Sequence, residues 1–237
     1  MTYNIHAGVG LDRQYDLGRI RRVMHAERPH VAALQEIECR SPRTSFDDQS
    51  DLLARDLALS SSFCTTRPAG EGAFGMAVLH TFSVLHQQQY DLSYGRREPR
   101  FCLRVDLEVE PGAVLHVFNC HLGLTARERV FQRKQMVSDL ILLSDDLRHP
   151  VVLMGDFNDR PIPVVHRTLR KHLTDVFTAC GKRGGPTFKA GPLRLRLDHI
   201  YVSAGIRVLD CRVRNDRLTR LASDHRPVVA SVEVTWR

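Results

Sequence analysis

Short apolar segments, each about the length of one buried strand, recur along the whole chain and limit the folds it can adopt. They are clearest in VAALQEI, FGMAVLH, FCLRVDLEVE, VLHVFNCHL and VVLMGDF, which are bounded by polar or turn-forming residues. Further strands are predicted in MTYNIH, FSVLHQQQYDL, LDHIYVS, VLDCRVR and PVVASVEV. So many strands favour sheets that pack together, with any helices on the outside.

Helices are predicted at three places between these strands. Asp16 can cap a helix that ends before Pro29, and DLLARDLAL predicts a short second helix. Thr125 and Glu128 have the spacing of a capping box at the start of a long third helix. The apolar side of that helix would carry Val130, Val137, Leu140, Ile141 and Leu147. Hairpins in the centre of the chain and two crossover helices indicate an α/β (α+β) protein with mixed sheets.

The composition favours one domain in a reducing compartment. No shift in composition marks a linker and no repeat is present, so we expect a single domain over residues 1–237. The six cysteines lie far apart without CxxC pairs, which favours free buried thiols over zinc ligands or disulfides.

Targeting signals are not visible in the sequence. No apolar run reaches membrane-spanning length and no signal peptide opens the chain. We therefore expect a cytoplasmic monomer without stable membrane insertion. The first predicted strand begins at Met1 with no lead-in, so we also expect a shortened start.

The chain is basic, with a formal net charge of +7 and a sequence pI near 9.4. Four of its 34 basic residues are lysines, so arginine supplies most of the charge. Guanidinium groups bind phosphates bidentately, which suits a polyanionic partner. A base composition that favours arginine codons explains the bias equally well, so charge alone supports a phosphate ligand only weakly.

Polar side chains follow or end several of the apolar strands. They are Asn4, Glu36, His121, Asp156, Asn158, Asp198, Asp224 and His225. Carboxylates gathered at one edge of a sheet repel one another and lose hydration unless a cation lies among them. Oxygen ligands of this kind select Mg²⁺ or Mn²⁺, and the two histidines add groups that titrate near neutral pH. The residues therefore indicate metal-assisted hydrolysis.

Each of these residues taken singly also has a structural explanation. Asn4 and Glu36 fit element boundaries, and Asp156 with Asn158 fits an Asx-type turn after a strand. A lone His121 is more often a satisfied histidine at a strand end. Only the ordered set favours catalysis.

Seven stretches carry a resemblance to a known family: TYNIH, LQE, REPR, NCHLGL, GDFND, RLDHIYVS and SDHRPV. In this order, over residues 2–229, they resemble the endonuclease/exonuclease/phosphatase superfamily, which has the DNase I-like fold. The resemblance implies a four-layer α/β/β/α sandwich in which two mixed, mostly antiparallel β-sheets pack face to face. It also implies a metal site at one edge of the sandwich.

The resemblance also implies roles around the metal. Glu36 would be the principal ligand of Mg²⁺ (or Mn²⁺), with Asn4 beside it and Asp224 contributing. Asp156 would orient or deprotonate the attacking water, and Asn158 would hydrogen-bond the phosphate. One or two metal ions act in this family, and its general base is disputed.

The remaining implied roles involve two histidines and their partners. His225, polarised by Asp198, would contact a non-bridging phosphate oxygen. His121, supported by Glu98 of REPR, would stabilise the transition state or protonate the leaving oxygen. As a structural alternative, Glu98 could merely pair with a neighbouring arginine, Arg96 or Arg100, on a solvated hairpin.

Departures from the sequence patterns of known subfamilies narrow the range of possible substrates. Exonuclease III-type repair nucleases carry a tyrosine where NCHLGL has its histidine, and inositol 5-phosphatases usually show a PAWCDR-like stretch that is absent here. Of the remaining deoxyribonuclease and sphingomyelinase branches, the arginine excess favours the nuclease. Arginines in or beside loops that could border the site are Arg43, Arg67, Arg96, Arg97, Arg100, Arg127, Arg160, Arg194 and Arg196.

We therefore predict a Mg²⁺- or Mn²⁺-dependent phosphodiester hydrolase, a nuclease that cleaves DNA or RNA. A phospholipid (sphingomyelinase-like) or small-molecule phosphoesterase is the alternative, although no apolar insert for membrane binding is visible. A catalytically silent phosphate-binding domain is disfavoured, because every expected catalytic position holds the expected residue type.

Overall fold

The computed structural model describes residues 1–236, which form two six-stranded sheets and a small hairpin. The first sheet contains β1 (Thr2–Asn4), β2 (Val31–Cys39), β3 (Ser60–Ala69), β4 (Gly72–His80), β13 (Ile206–Val213) and β14 (Val228–Val234). Their spatial order is β13-β14-β1-β2-β4-β3. The β1–β2 pair is parallel and the other pairs of this sheet are antiparallel.

The second sheet has the same strand count and the same mixture of directions. It contains β5 (Ser83–Asp91), β6 (Phe101–Glu110), β7 (Ala113–His121), β8 (Val151–Asp156), β9 (Thr174–Asp175) and β12 (Asp198–Val202). The spatial order is β5-β6-β7-β8-β12-β9, with β7–β8 parallel and the others antiparallel. The hairpin is formed by β10 (Phe188–Ala190) and β11 (Leu193–Leu195).

The helices cover the outer faces of the two sheets. Those on the first sheet are α1 (Leu17–Glu27), α2 (Gln49–Asp56) and α6 (Arg217–Ala222), and those on the second are α3 (Ala126–Met136) and α4 (Val164–Leu169). The one-turn helix α5 (Val176–Ala179) follows β9. The two parallel pairs are joined through α1 and α3, as crossover connections require. The expected four-layer α/β/β/α sandwich is confirmed.

The space between the sheets is filled by apolar side chains from both inner faces. Ala33, Met76 and Val78 of the first sheet are fully or almost fully buried against Val105, Val117 and Met154 of the second. All six cysteines are free, as expected from their spacing. Within residues 1–236, no helix is both long enough and apolar enough to cross a membrane.

A polar bridge crosses this apolar layer near the candidate site. Asn119 of β7 accepts a hydrogen bond from Gln35 Nε2 of β2 at 2.7 Å. Its amide nitrogen donates to the carbonyl oxygens of Leu34 at 2.9 Å and Ala77 at 2.8 Å. Asn119 and Gln35 are both completely buried, so these bonds fix the alignment of the two sheets close to Glu36 and His121.

Two local backbone features direct side chains to one end of the sandwich. A bulge in β2 leaves Glu36 between the paired residues Gln35 and Ile37, with a φ of 56°. Gly155 has a φ of 151°, and a Cβ there would lie 2.0 Å from the carbonyl oxygen of Cys120. Only glycine allows β8 to approach β7 this closely, which places His121 directly beside Asp156.

The third predicted helix is shorter than expected. It begins at its capping box as predicted, but it ends at Met136 instead of continuing through Leu147. The Ser138 hydroxyl donates to the carbonyl oxygen of Gln135 at 2.6 Å, and the chain then leaves the helix in a series of turns.

The apolar side predicted for this helix is confirmed only in part. Ile141 is buried and Val137 and Leu147 pack against the core, but Val130 is 37% and Leu140 75% exposed. Arg129, Gln132 and Met136 are buried within the helix instead. Tertiary hydrogen bonds to the loops under α3 explain this difference, since they satisfy the polar groups that face inward. Strand β3 was not predicted, because its sequence SSSFCTTRPA has few apolar residues.

The bridge through Asn119 generates a stability prediction. Asn119→Ala removes the side-chain donor of two buried carbonyl groups and leaves Gln35 Nε2 only its bonds to Thr2 and Ala33. We expect it to lower the free energy of unfolding by about 2–4 kcal/mol. Urea denaturation measures the change, with the exposed amide Gln89 as control; Gln89→Ala should alter the stability by less than about 0.5 kcal/mol. Equal effects of the two substitutions would contradict the bridging role.

Candidate active site

One cavity of about 480 Å³ collects most of the polar residues that end the strands. Its lining includes Glu36, His121, Asp156, Asn158, Asp224 and His225, together with Glu98. Asn4 and Asp198 are completely buried behind this lining. The nine residues singled out in the sequence therefore meet at one end of the sandwich. Adjacent strands end there, so residues distant in sequence become neighbours.

Asp156 lies at the centre of the group. Asn4 Nδ2 donates to Asp156 Oδ2 at 3.1 Å and to Glu36 Oε1 at 2.8 Å. The Nε2 atoms of His121 and His225 each lie 3.6 Å from Asp156 Oδ2. One buried carboxylate thus contacts side chains from β1, β7 and the loop before β14.

Two backbone interactions keep this geometry in place. The backbone N–H of Asn158 donates to Asp156 Oδ1 at 3.0 Å, and Asn158 Nδ2 donates to the carbonyl oxygen of Leu122 at 3.0 Å. On the other side, Ser223 Oγ donates to the carbonyl oxygen of Asn4 at 2.9 Å and accepts from the backbone N–H of His225 at 3.1 Å. Ser223 therefore ties the loop that carries Asp224 and His225 to the end of β1.

His225 lies between two carboxylates. Its Nδ1 is 2.8 Å from Asp198 Oδ2, and its Nε2 faces Asp156. Burial lowers the pKa of His225, but the negative charges of Asp198 and Asp156 outweigh burial and raise that pKa well above its ordinary value. These three residues bring potential ligand atoms within 4.8 Å of one another. With His225 protonated, the three residues form an ion triad.

Burial shifts the pKa values of His121 and Asp156 in opposite directions. Burial, followed by the charges of Arg100 and His225, lowers the pKa of His121 well below its ordinary value, so its imidazole is neutral at pH 7. Burial raises the pKa of Asp156, although the His225 charge opposes the shift. Asp156 is therefore a better proton acceptor than an exposed aspartate.

The residues fit a hard divalent cation. The Glu36 and Asp224 carboxylates are about one-quarter exposed and face the cavity, and Asp156 and Asp198 are buried close by. The Oδ1 atom of Asp198 is buried without a hydrogen-bond partner. Oxygen donors in excess of nearby positive charge are the environment that Mg²⁺ and Mn²⁺ prefer.

Asn4 positions the carboxylates next to the proposed metal site. Its Nδ2 faces Glu36 and Asp156, while its Oδ1 accepts from the backbone N–H of His6 at 3.0 Å. In this orientation Asn4 aligns the two carboxylates. Its role as a metal ligand stays a prediction.

Glu98 lies in the cavity lining, but its carboxylate pairs with arginines. Its Oε1 is 3.2 Å from Arg67 Nε, and its Oε2 is 2.9 Å from an Arg100 guanidinium nitrogen. His121 Nε2 instead lies 4.0 Å from Glu36 Oε1 and 3.6 Å from Asp156 Oδ2. The structure thus shows the pair of Glu98 with Arg100, and the support of His121 by Glu98 stays a prediction.

Sequence reasoning missed Ser223 and Arg129 as residues that organise the site. Arg129, only 1% exposed, donates to the carbonyl oxygens of Leu124 at 2.7 Å and Arg160 at 2.9 Å. It therefore joins the loop after His121 to the loop after Asp156. No local pattern distinguishes such an arginine from a surface one, because arginine is rarely fully buried. Ser223 does have a signal, since it immediately precedes Asp224 and His225.

A second cluster of potential ligands consists of His166, Asp175 and His199, with ligand atoms within 4.8 Å of one another. Asp175 Oδ2 already accepts from Arg196 at 2.6 Å and lies 3.1 Å from His199 Nδ1. Burial opposes ionisation of Asp175, but these two hydrogen bonds outweigh it and hold the pKa of Asp175 well below its ordinary value. Because the Arg196 guanidinium already pairs with the Asp175 carboxylate, this cluster is a structural ion-pair network.

The sequence model of the endonuclease/exonuclease/phosphatase family matches residues 1–225. The chain therefore belongs to this family, and membership supports a hydrolase that acts on phosphoesters. Members of the family generally use divalent metal ions. A comparison with curated protein sequences finds no match.

Solved structures share the fold over almost the whole chain. An endonuclease/exonuclease/phosphatase from Beutenbergia cavernae is 22% identical with a TM-score of 0.76, over 99% of this chain and 70% of the other. A mannosyl-6-phosphatase from Bacteroides thetaiotaomicron is 20% identical with a TM-score of 0.76, over 98% of both chains. The human Nocturnin catalytic domain is 20% identical with a TM-score of 0.76, over 98% of this chain and 92% of the other.

The Asp175 network generates a prediction about stability and pH. Because the folded-state pKa of Asp175 is depressed, its contribution is complete above the unfolded-state pKa of about 3.9 and is lost as the pH falls below it. We expect Asp175→Asn to lower the free energy of unfolding at pH 7 by about 3 kcal/mol. Urea denaturation from pH 7 to pH 3 should show this difference shrinking.

The same variant tests the structural assignment of the cluster. If Zn²⁺ raised the unfolding temperature of the wild-type protein and left that of Asp175→Asn unchanged, the cluster would be a metal site and the assignment would be wrong.

Proposed function

We propose that this chain is a Mg²⁺- or Mn²⁺-dependent phosphodiesterase that cleaves the backbone of DNA or RNA. One observation carries the proposal: a single cavity combines the buried carboxylate of Asp156, contacted by two histidines, with a lining that contains four arginines. These arginines are Arg43, Arg67, Arg100 and Arg160. The acidic part suits a cation, and the arginines suit the phosphates of a polyanion.

Glu36 and Asp224, with Asn4 beside them, would hold the metal ion. When bound, the ion would polarise the phosphate and lower the pKa of a water molecule. Asp156, aligned by Asn4 and by the backbone N–H of Asn158, would accept the proton of the attacking water. The raised pKa of its carboxyl group makes it suited to this step.

The two histidines differ in charge and so would differ in role. His225, kept protonated by Asp198 and Asp156, would donate from Nε2 to a non-bridging phosphate oxygen and stabilise its growing charge. His121 is neutral and would hydrogen-bond the phosphate or the leaving oxygen. Asn158, at the cavity, would orient the phosphate between them.

A phospholipid or small-molecule phosphoesterase is the second candidate. Leu124, in the cavity lining, is 69% exposed, which would suit an apolar substrate group. The fold is also that of a protein named as a mannosyl-6-phosphatase, and one fold hosts several substrate classes. We favour nucleic acid because four arginines line the cavity, which suits the successive phosphates of a polyanion.

The central role of Asp156 predicts a large loss of activity on its removal. We expect Asp156→Ala to reduce cleavage of a bis-nitrophenyl phosphodiester by about a hundredfold or more, because the proton acceptor is lost. Chelation of divalent ions should abolish the wild-type activity. Asp139→Ala, which removes an exposed carboxylate, serves as control and should retain it.

Metal binding can be measured without any turnover. Calorimetry with Mn²⁺ should show uptake by the wild-type protein and weakened uptake by Glu36→Gln. Absence of uptake together with absence of hydrolysis under every metal tested would defeat the proposal and favour a silent phosphate-binding domain.

The choice between nucleic acid and lipid predicts different salt responses. We expect purified protein with Mn²⁺ to nick plasmid DNA, with a rate that falls steeply between 50 and 200 mM salt, roughly the range in which counterion release weakens such binding. Gel electrophoresis of the plasmid and release of label from phospholipid vesicles measure the two activities. Vesicle hydrolysis with intact plasmid would support the second candidate instead.

A further inference from the structure

Two arginines from different sheets meet on one carboxylate inside the cavity lining. Arg67 belongs to β3 of the first sheet, and Arg100 immediately precedes β6 of the second. Arg67 Nε lies 3.2 Å from Glu98 Oε1, and an Arg100 guanidinium nitrogen lies 2.9 Å from Glu98 Oε2. The bridging carboxylate marks a position where an anionic group is held by two guanidinium groups at once.

Arg100 is held rigidly in this position. Its side chain is only 6% exposed, and its Nε is buried without a hydrogen-bond partner. Cys102 of β6 lies opposite Cys120 of β7 in the strand register, so Arg100 lies next to the end of β7, where His121 projects into the cavity. A buried guanidinium in a cavity wall favours an anionic partner, because an unpaired buried charge is costly.

Arg67 is also pre-oriented before any ligand binds. Its guanidinium lies over the Phe74 ring, 4.2 Å from the centroid, and Phe74 is its partner on the neighbouring strand β4. Stacking on an aromatic face holds the planar group in place while leaving its edge free to donate.

Glu98 is the member of the group that can be displaced. Its side chain is 42% exposed, and its pair with Arg67 is between two partly exposed groups, so solvent screens the attraction. Rotating Glu98 into water gives up little attraction to Arg67 but would leave the buried Arg100 guanidinium unpaired, so the incoming anion must take the place of the carboxylate. A terminal phosphate monoester carries more negative charge than a carboxylate, a backbone diester carries the same single charge, and both accept bidentate bonds from guanidinium groups.

We propose that Arg67 and Arg100 form a second anion subsite, which binds a phosphate group of the substrate other than the one that is hydrolysed. The proposal deepens the proposed function and rests on it for the identity of the substrate. In the free protein Glu98 occupies the subsite as an internal substitute for that phosphate. The subsite selects substrates with at least two phosphate groups, either a terminal monophosphate or a neighbouring backbone diester.

Calorimetry with inorganic phosphate in the presence of EDTA tests the subsite without turnover. Because the chelator removes divalent ions, phosphate can bind only through the protein's own groups. Arg67→Gln should weaken binding about tenfold, as expected for one lost charge-assisted hydrogen bond. Glu98→Gln should strengthen binding, because the competing carboxylate is neutralised.

Arg96→Gln is the matched control, since it removes the same charge from an exposed position outside the cavity lining. It should leave phosphate binding unchanged. If Arg67→Gln and Arg96→Gln weakened phosphate binding equally, the loss would be explained by net charge alone, and the proposed subsite would be wrong. Absence of saturable binding to both the wild-type protein and Glu98→Gln would overturn it as well.

Steady-state kinetics then identify the source of the second phosphate. We would compare kcat/KM for a thymidine dinucleotide, its 5′-phosphorylated form and the trinucleotide. The wild-type protein and Arg96→Gln should prefer one or both substrates with the extra phosphate, and Arg67→Gln should lose that preference. Preference for the phosphorylated dinucleotide indicates a terminal monophosphate, and preference for the trinucleotide alone indicates a backbone diester.

The outcomes separate the subsite from the proposed function. Equal kcat/KM for all three substrates would overturn the subsite while leaving the nuclease intact. If none of the three substrates were cleaved, the proposed nuclease activity would be wrong. Phosphate calorimetry would still test whether the subsite binds an anion. If Glu98→Gln lowered kcat on every substrate and left KM unchanged, displacement of Glu98 by a phosphate would be contradicted. That result would support Glu98 as a partner of His121.

Discussion

The buried carboxylate of Asp156 is the group on which the rest of the site depends. It ends β8 where that strand lies parallel to β7, and it receives the amide of Asn4 from the end of β1 in the facing sheet. A charged group with so little solvent is tolerable only when donors surround it. These donors come from the Asn158 backbone, Asn4 and His225. The organisation of the site therefore depends on the alignment of the two sheets.

The cavity lining combines both signs of charge. A cation would compensate the mutual repulsion of Glu36, Asp156 and Asp224, and four arginines complete the lining. Arg129 and Ser223 do not act on a substrate in this description. They join neighbouring loops through carbonyl oxygens and hold the reacting groups in place. The proposed hydrolysis and the second anion subsite use one cavity, because Asp156, Arg67 and Arg100 all line it.

Most of the fold could be predicted from the sequence, since it rests on local patterns. Nearly every predicted strand is present, and the capping residues Asp16 and Thr125 begin α1 and α3 as expected. Local reasoning failed where tertiary contacts override it. The end of α3 at Met136 and the burial of Arg129 depend on loops from other parts of the chain, and β3 is stabilised by its pairing with β4 and not by its own apolar residues.

The sequence by itself determined the residue types available for chemistry and the family to which they belong, because ordered polar residues at strand ends are a property of the chain. Only the tertiary structure decided which of them touch. It gave Glu98 a second arginine partner in Arg67, made Asn4 a donor to two carboxylates, and placed Arg67 and Arg100 on the same carboxylate. The bonds of Asn4 with Asp156 and of Arg67 with Glu98 join the two sides of the sandwich, and the distance between residues on different sheets is set by packing, which no local pattern encodes.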